Sequence, residues 1–372
     1  MKQQKIENKK IYSHKILIII NIFVVFLLLL SYSSLIINPE KFKYLSIFGL
    51  FYPFSLALNI LMIIVWYVFD KKMILISLFT ILIGWKMFTT TFQFNLFPEK
   101  DKINSFSVLS YNVRMFDKYN WIKEDSTTFN ILKFIEQQSA DIVCIQDFYS
   151  NDKDEIVIEK KMKNFAKSKY SHIIFASKGS TVYNYGFATF SGFPIINKGS
   201  IKYGNNNEEI SIFSDIVIEK DTIRFYNCHF ESVHFEYEDY YFIDSLVVNN
   251  NNANKLQRFK KILSKLVSAY EIRSNQAELI IEHIASSPYP AVVCGDFNDT
   301  PVSYAYHQIS KNMEDAFVES GFGLGSTYIY SFLRLRIDYI LHDEKLESAN
   351  FKTYKIRLSD HYPVSCDFTL SN

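Results

Sequence analysis

Three long apolar runs open the chain, and short alternating runs fill the rest of it. After a polar, basic start at Met1–Lys15, residues Ile16–Ile37 are almost unbroken Ile, Leu, Val and Phe. Asn38-Pro39-Glu40-Lys41 ends that run. A second runs from Tyr44 to Phe69 and stops at Asp70-Lys71-Lys72, and a third, Met73–Phe92, is interrupted only by Lys86. Each is long enough for a hydrocarbon core of about 30 Å, and the first lacks the small-residue cleavage pattern of a removable signal peptide. Three such runs in succession predict transmembrane helices at about 16–37, 44–69 and 73–92 rather than buried helices of a soluble core. Lys86 would snorkel or face the bundle. The basic N-terminus and Lys71-Lys72 predict a cytoplasmic side, though Lys41 and Lys43 weaken the bias. Three spans would then leave everything after about Phe97 outside the cytoplasm.

From Ser105 the texture changes to that of a mixed α/β domain, with residues 98–104 as the join. Phe106–Val113 alternates like a strand, and Ser126–Gln138 has helical spacing at Phe129, Leu132 and Ile135. Asp141–Asp147 reads as a buried strand and Tyr185–Ile196 as strand and turn. Ile210–Glu219 and Thr222–His229 form a hairpin about Lys220-Asp221. Leu256, Phe259, Leu263, Leu266 and Tyr270 begin one face of a long helix that Ala277, Ile280, Ile281 and Ile284 continue. Ala291–Cys294 is a buried strand leading into Gly295-Asp296-Phe297-Asn298, Arg336–Leu341 is another, and the last passes through Cys366 and Phe368. Between the hairpin and the long helix, Phe230–Asn254 mixes aromatics with acids and ends in an Asn run. It is either a floppy insertion or a flap over a site, touching substrate or lipid.

The overall charge of +1 hides an asymmetry. Residues 1–99 hold 10 Lys against 4 acids, which leaves 30 basic and 35 acidic residues after them, a net of −5. A mildly acidic soluble part argues against a broad electrostatic grip on nucleic acid. The four cysteines, Cys144, Cys228, Cys294 and Cys366, form no Cys-x-x-Cys pair, which argues against zinc, and their apolar surroundings mark them as small core residues.

Strand ends and turns supply Asn112, Asp147, His229, Asp296, Asn298, Asp338, Asp360 and His361. Singly, such residues are ordinary turn formers, caps or structural histidines. Together they provide hard oxygen ligands, two imidazoles and amide donors, the parts needed for metal-assisted attack of water on a phosphoester. The ordered blocks Tyr111-Asn112-Val113, Gln146-Asp147, Asn227-Cys228-His229, Gly295-Asp296-Phe297-Asn298, Arg336-Ile337-Asp338 and Ser359-Asp360-His361 resemble the endonuclease/exonuclease/phosphatase superfamily, from about Asn104 to Thr369. The resemblance implies two β-sheets packed face to face with outer helices, a four-layer sandwich spanning residues 105–372, here preceded by a three-helix membrane anchor at 1–97. It implies Mg²⁺, with Mn²⁺ as the alternative, held by Asn112, Asp147 and Asp360. It implies catalysis by His229, Asp296, Asn298, Asp338 and His361, with Asn112, Asn298 and His229 on the phosphate, Asp338 orienting His361, and the base shared between Asp296 and His361. The family usually has Gln-Glu where this chain has Gln146-Asp147. The shorter side chain would have to act through a water or need a backbone shift.

The resulting expectation is a membrane-tethered, metal-dependent phosphodiesterase or phosphatase at the outer face of the cytoplasmic membrane. Its partners would be the bilayer and a phosphoester, such as a phospholipid headgroup, with no obligate protein partner. The alternatives are a nuclease acting on external DNA or RNA, and a non-catalytic protein that binds a phosphorylated ligand.

Overall fold

A computed structural model of the chain describes residues 2–95, 105–122, 126–149, 155–164, 167–178, 181–205, 208–247, 255–329 and 334–371. The join at 98–104 lies outside the described residues. In chain order, helices α1 (Lys2–Ile36), α2 (Ser46–Leu50), α3 (Tyr52–Phe69), α4 (Ile74–Ile83) and α5 (Trp85–Thr91) precede strand β1 (Gln93–Phe94). Then come β2 (Phe106–Asn112), α6 (Thr127–Gln138), β3 (Ile142–Tyr149), α7 (Glu155–Lys163), β4 (Tyr170–Lys178), β5 (Thr181–Ser191), β6 (Ile195–Tyr203), β7 (Glu208–Ile218) and β8 (Asp221–His229). The chain continues through α8 (Tyr237–Val247), α9 (Lys255–Ala285), β9 (Ala291–Asp296), α10 (Tyr304–Ile309), β10 (Glu314–Asp315), α11 (Ala316–Ser320), β11 (Phe322–Gly323), β12 (Asp338–His342), β13 (Leu346–Thr353) and β14 (Val364–Leu370).

Internal contacts divide the chain into two compact units. The helical unit comprises Met1–Thr90, Val233–Ser274 and Val302–His307. Among the described residues, two of its helices are long and apolar enough to cross a membrane, Tyr12–Ile36 and Tyr52–Phe69. A third crossing would have to combine Lys71–Ile83 with Trp85–Thr91, which bend by 65° where they meet. The second apolar run is therefore not one span from Tyr44. It breaks at Phe51, because Pro53 in the first turn of α3 has no N–H for a preceding helical turn. Polar groups tie these helices together: Asn59 Nδ2 donates to the Val24 carbonyl (3.1 Å), Ser77 Oγ to Asn21 Oδ1 (2.7 Å) and Tyr32 OH to the Thr80 carbonyl (3.1 Å). The aromatic segment after β8 forms helix α8, where a floppy insertion was one expectation. Lys265 Nζ pins its start by donating to Asp239 Oδ2 (2.7 Å) and to the His234 carbonyl (2.9 Å).

The second unit holds two six-stranded mixed sheets, ordered β13-β14-β2-β3-β5-β4 and β10-β12-β9-β8-β7-β6. β2 and β3 run parallel at the middle of the first, β8 and β9 at the middle of the second. The sheets face each other across an apolar core. Helices α6 and α7 cover the outer face of the first sheet. On the second sheet, Tyr226 of β8 is hydrogen-bonded to His283 near the end of α9 (2.9 Å). The four cysteines are buried and none forms a disulfide.

The inter-sheet core sets the phase of each strand. Phe106 and Val108 of β2 face it, while Leu109 and Tyr111 face α6. Ile223 and Phe225 of β8, Val292 and Cys294 of β9, and Ile340 of β12 also face it. Carried on by twos, the same faces bring Asn112, Asn227, His229, Asp296 and Asp338 between the sheets. Gly295 lets β9 approach β8 closely: its φ is +135°, and a Cβ there would lie 2.0 Å from the Cys228 carbonyl oxygen.

A polar clamp crosses this largely apolar interface. Gln146 Nε2 on β3 donates to Asn227 Oδ1 on β8 (2.7 Å), and Asn227 Nδ2 donates to the Ile145 and Ala188 carbonyls (3.1 Å each). Both side chains are fully buried. Asn227→Leu would take a donor from two buried carbonyls and the 2.7 Å acceptor from the Gln146 amide, so it should destabilise the protein by about 2–5 kcal/mol. Denaturant unfolding of the full chain in detergent micelles, followed by tryptophan fluorescence, measures this.

Candidate active site

Three site residues stand abreast on adjacent strands of the second sheet. His229 pairs in register with Asp296, and Asp296 with Asp338. Asn112 and Gln146 pair at the corresponding end of the first sheet. The chain thus delivers these groups to one end of the sandwich from the ends of β2, β3, β8 and β9 and the start of β12.

The groups converge on one oxygen. Asp296 Oδ2 accepts from Asn112 Nδ2 (3.0 Å) and lies 3.5 Å from His361 Nε2 and 3.6 Å from His229 Nε2. Its other oxygen accepts from the Asn298 backbone N–H (2.7 Å), closing a turn in which Asn298 takes a left-handed φ of 53°. Asn298 Nδ2 donates to the Phe230 carbonyl (2.9 Å), so the turn is tied to the end of β8. His361 Nδ1 meets Asp338 Oδ2 at 2.9 Å, a pairing that fixes ring orientation. Thr327 Oγ1 accepts the backbone N–H of Ile337 and Asp338 (3.1 Å each), holding the start of β12.

Asp147 arrives by a different route. Strand alternation would send it outward with Val143 and Ile145, which pack against the helices. Instead the β3–β5 ladder slips between Gln146 and Phe148, and Asp147 sits in this bulge with φ 52°. Its Oδ1 lies 3.4 Å from His229 Nδ1. Asp360 lies beside Arg114, with Arg114 Nε 3.2 Å from its Oδ2.

Arg114 is the residue that motif reasoning passed over. It opens a left-handed turn, Arg114–Asp117, with φ values of 45°, 54°, 53° and 59°. Each such residue costs roughly 1–2 kcal/mol, so the turn must be held from outside. Asn112 Oδ1 accepts the Arg114 N–H (3.0 Å), Asp117 Oδ1 accepts that of Trp121 (2.8 Å), and the Arg114 guanidinium stacks on the Trp121 ring at 4.1 Å. Ser359 completes the set, its hydroxyl donating to the Asn112 carbonyl (2.8 Å). The only sequence signal for Arg114 is its position two residues past Asn112.

Acid outweighs fixed base in this site. Burial disfavours charge on both imidazoles, yet Asp147 and Asp296 outweigh it at His229, raising its pKa to about 9. Asp338 and Asp296 do the same at His361, raising it to about 10. Burial pushes the Asp147 carboxyl up, but His229, His361 and Arg114 hold it below its ordinary value. At Asp296 burial prevails over the two imidazoles, with Asp338 adding to it, and its pKa rises to about 6. Four carboxylates set against two imidazoles and one guanidinium leave a surplus of acid, the charge pattern that suits a divalent cation. Ligand atoms of Asp296, Asp338 and His361 lie within 4.8 Å of one another, close enough to share one metal ion if the His361 ring gives up the proton that the two acids favour.

The raised pKa of Asp296 sets a pH dependence. The group is neutral in both states below its ordinary pKa of 3.8, and the folded protein loses stability as pH rises through about 6. Asp296→Asn should therefore match the wild type at pH 4 and exceed it by about 1–3 kcal/mol at pH 7.5 in chelator. Thermal unfolding of the metal-free full chain at the two pH values checks this. A gap that fails to widen with pH would show that Asp296 ionises without penalty.

Comparison with known proteins agrees with this geometry. Residues 14–91 match a domain of unknown function, and residues 109–361 match the Endonuclease/Exonuclease/phosphatase family. No functionally curated protein matches the sequence. Among solved structures, an endonuclease/exonuclease/phosphatase family protein from Bacteroides thetaiotaomicron is 17% identical, covering 72% of this chain and 98% of its own, with a TM-score of 0.51. A functionally unknown conserved protein from Enterococcus faecalis V583 is 14% identical, covering 71% of this chain and 99% of its own, also with a TM-score of 0.51. At such identities these structures show a common fold alone. The family match, however, runs from within β2 to His361 and takes in more than half of the chain, and on that ground the protein belongs to the endonuclease/exonuclease/phosphatase family.

Proposed function

We propose that the protein is a membrane-tethered, divalent-metal-dependent hydrolase of phosphoesters. The observation that carries this is the convergence of His229, His361 and Asn112 on Asp296 Oδ2 in a buried, acid-rich site. A carboxylate with a pKa of about 6 is ionised at neutral pH yet basic enough to take a proton from water. Asp296 is then the base, aimed by Asn112 and the Asn298 backbone. Asp338 keeps His361 protonated, so His361 acts as a fixed cation for the charge that grows on the phosphoryl oxygens. His229, also protonated, supports the leaving-group side, and Asn298 retains a second amide hydrogen for a non-bridging oxygen. Mg²⁺, or Mn²⁺, would be held by Asp147, Asn112 and Asp360, whose oxygens are the hard donors such an ion takes. When bound, it supplies Lewis-acid polarisation of the phosphoryl group.

The apolar helices and the net charge of −5 after residue 99 favour a phosphoester at the bilayer, such as a phospholipid headgroup, over a nucleic acid. The basic N-terminus and Lys71-Lys72 favour a cytoplasmic start. If the bent α4–α5 pair crosses, the catalytic unit is external. If it turns back, the unit stays inside.

The full chain in detergent micelles should hydrolyse bis(p-nitrophenyl) phosphate only with Mg²⁺ or Mn²⁺. Asp296→Ala and His361→Ala should each reduce kcat/KM by about 10²–10⁴-fold. Asp147→Ala should lose activity that Asp147→Glu keeps. A wild-type rate no higher than that of the Asp296 variant would leave a phospho-ligand-binding protein instead. A panel of phospholipids, inositol phosphates, DNA and RNA then ranks substrates, with cleavage of nucleic acid alone selecting the nuclease reading.

The side of the membrane is read separately. An alkaline phosphatase reporter fused after Asn95 should be active. Activity of a cytoplasm-only reporter at the same place would reverse the topology.

A further inference from the structure

Two segments of the helical unit are contributed by chain that has just left a site strand. Val233 follows His229 and Val302 follows Asn298, each by four residues, and Val233–Ser274 and Val302–His307 both belong with the N-terminal helices. The contacts at Val302 are specific. Ser34 Oγ, near the end of α1, lies 3.2 Å from the Val302 carbonyl oxygen, with the Ser31 carbonyl as its other acceptor at 2.7 Å. Gly49 of α2 closes the seat from the other side: a Cβ there would lie 2.0 Å from the Val302 oxygen and 2.5 Å from Ser34 Oγ. No side chain fits that space, and the obstacle is backbone rather than a flexible tip. Asn38 Nδ2 donates to Tyr304 OH at 3.4 Å. Ser34 and Val302 are both almost wholly buried. At the other end of the same loop, Tyr339 OH donates to the Asp299 carbonyl (2.8 Å), and Asp299 Oδ1 accepts the Thr300 N–H (3.0 Å).

We propose that the N-terminal helices do more than anchor the protein: Gly49 and Ser34 are positioning residues that hold Val302, and through Pro301 and Thr300 fix the loop carrying Asn298 and, by its turn, Asp296. This rests on the phosphoester-hydrolase reading and extends it, giving the domain of unknown function at residues 14–91 a role in catalysis. The physical reason is leverage. Asn298 holds a left-handed φ, and its N–H aims the Asp296 carboxylate. A loop clamped at Asp299 and at Val302 has little freedom to let that turn relax, and a misplacement of about 1 Å costs on the order of 10²-fold in rate.

The test uses the full chain in detergent micelles, with bis(p-nitrophenyl) phosphate and Mg²⁺. Gly49→Ala should lower kcat by about tenfold or more, with KM within about threefold, and raise amide hydrogen exchange across Asp299–Ser303. Ser34→Ala should move both readouts the same way by less, and it decides the matter if Gly49→Ala does not fold. Gly84→Ala is the control. It crowds the helices against Tyr32, 2.2 Å from the added Cβ, without touching Val302, and should leave kcat and loop exchange near wild type. Wild-type kcat and exchange in Gly49→Ala, or an equal loss in Gly84→Ala, would overturn the proposal. If the wild type has no metal-dependent rate above Asp296→Ala, the hydrolase reading fails. Loop exchange alone then judges the clamp, and an unchanged pattern in Gly49→Ala rejects it.

Discussion

Apolar burial between the two sheets fixes the phase of nearly every strand that reaches the site. Each fully buried Val, Ile or Phe contributes about 1.5–3 kcal/mol, and a one-residue slip would turn a whole set of them to the wrong face. Phe106 and Val108, Ile223 and Phe225, Val292 and Cys294, and Ile340 all hold that phase. The polar residue two positions further along then has no choice of direction. Asn112, Asn227, Asp296 and Asp338 sit between the sheets because the residues before or after them on the same face are hydrophobic. The energy that folds the sandwich also aims these polar groups toward the candidate site.

What the core does not supply is charge balance. Asp147, Asp296, Asp338 and Asp360 meet one guanidinium and two imidazoles within a few strand widths. Water would stabilise the Asp296 carboxylate better than the protein does, and its raised pKa records that cost. The same penalty would make the carboxylate a useful base in the proposed reaction, with local stability given up for reactivity. His361 shows the complementary case. Its pairing with Asp338 keeps the ring charged and oriented, a role that depends on geometry more than on the titration of either partner.

Much of this was legible in the sequence where period-two alternation ran into a polar residue. The strands carrying Asn112, His229, Asp296 and Asp338 were each marked by apolar runs of the right length, and their order matched the family's blocks. The single run from Tyr44 to Phe69 misled because composition alone does not register that Pro53 must begin a helix and not continue one. Helix α8 was hidden because its residues, aromatic and acidic together, carry no clean helical face. Arg114 was hidden for another reason. Its place depends on four successive left-handed residues, a conformation that Arg, Met, Phe and Asp do not advertise.

Asp147 shows most clearly why local sequence reasoning stops short. Its identity raised a question of reach, since a carboxylate one methylene shorter must come closer by some other means. Its phase raised a larger one, because alternation points it at α6 and α7. The bulge between Gln146 and Phe148 answers both, turning the side chain toward His229 through a φ of 52°. Just before the bulge, Asn227 reaches across from the other sheet to the carbonyls of Ile145 and Ala188, two residues that still pair in register. Asn227 and Gln146 are thus one structural device with Asp147. The clamp that joins the sheets holds β3 and β5 just before their ladder slips, and the slip presents the carboxylate. Sheet pairing and site geometry meet there in the same few hydrogen bonds, so a change at Asn227 bears on the placement of Asp147 even though its side chain, buried between the sheets, bonds to none of the site's acids or imidazoles.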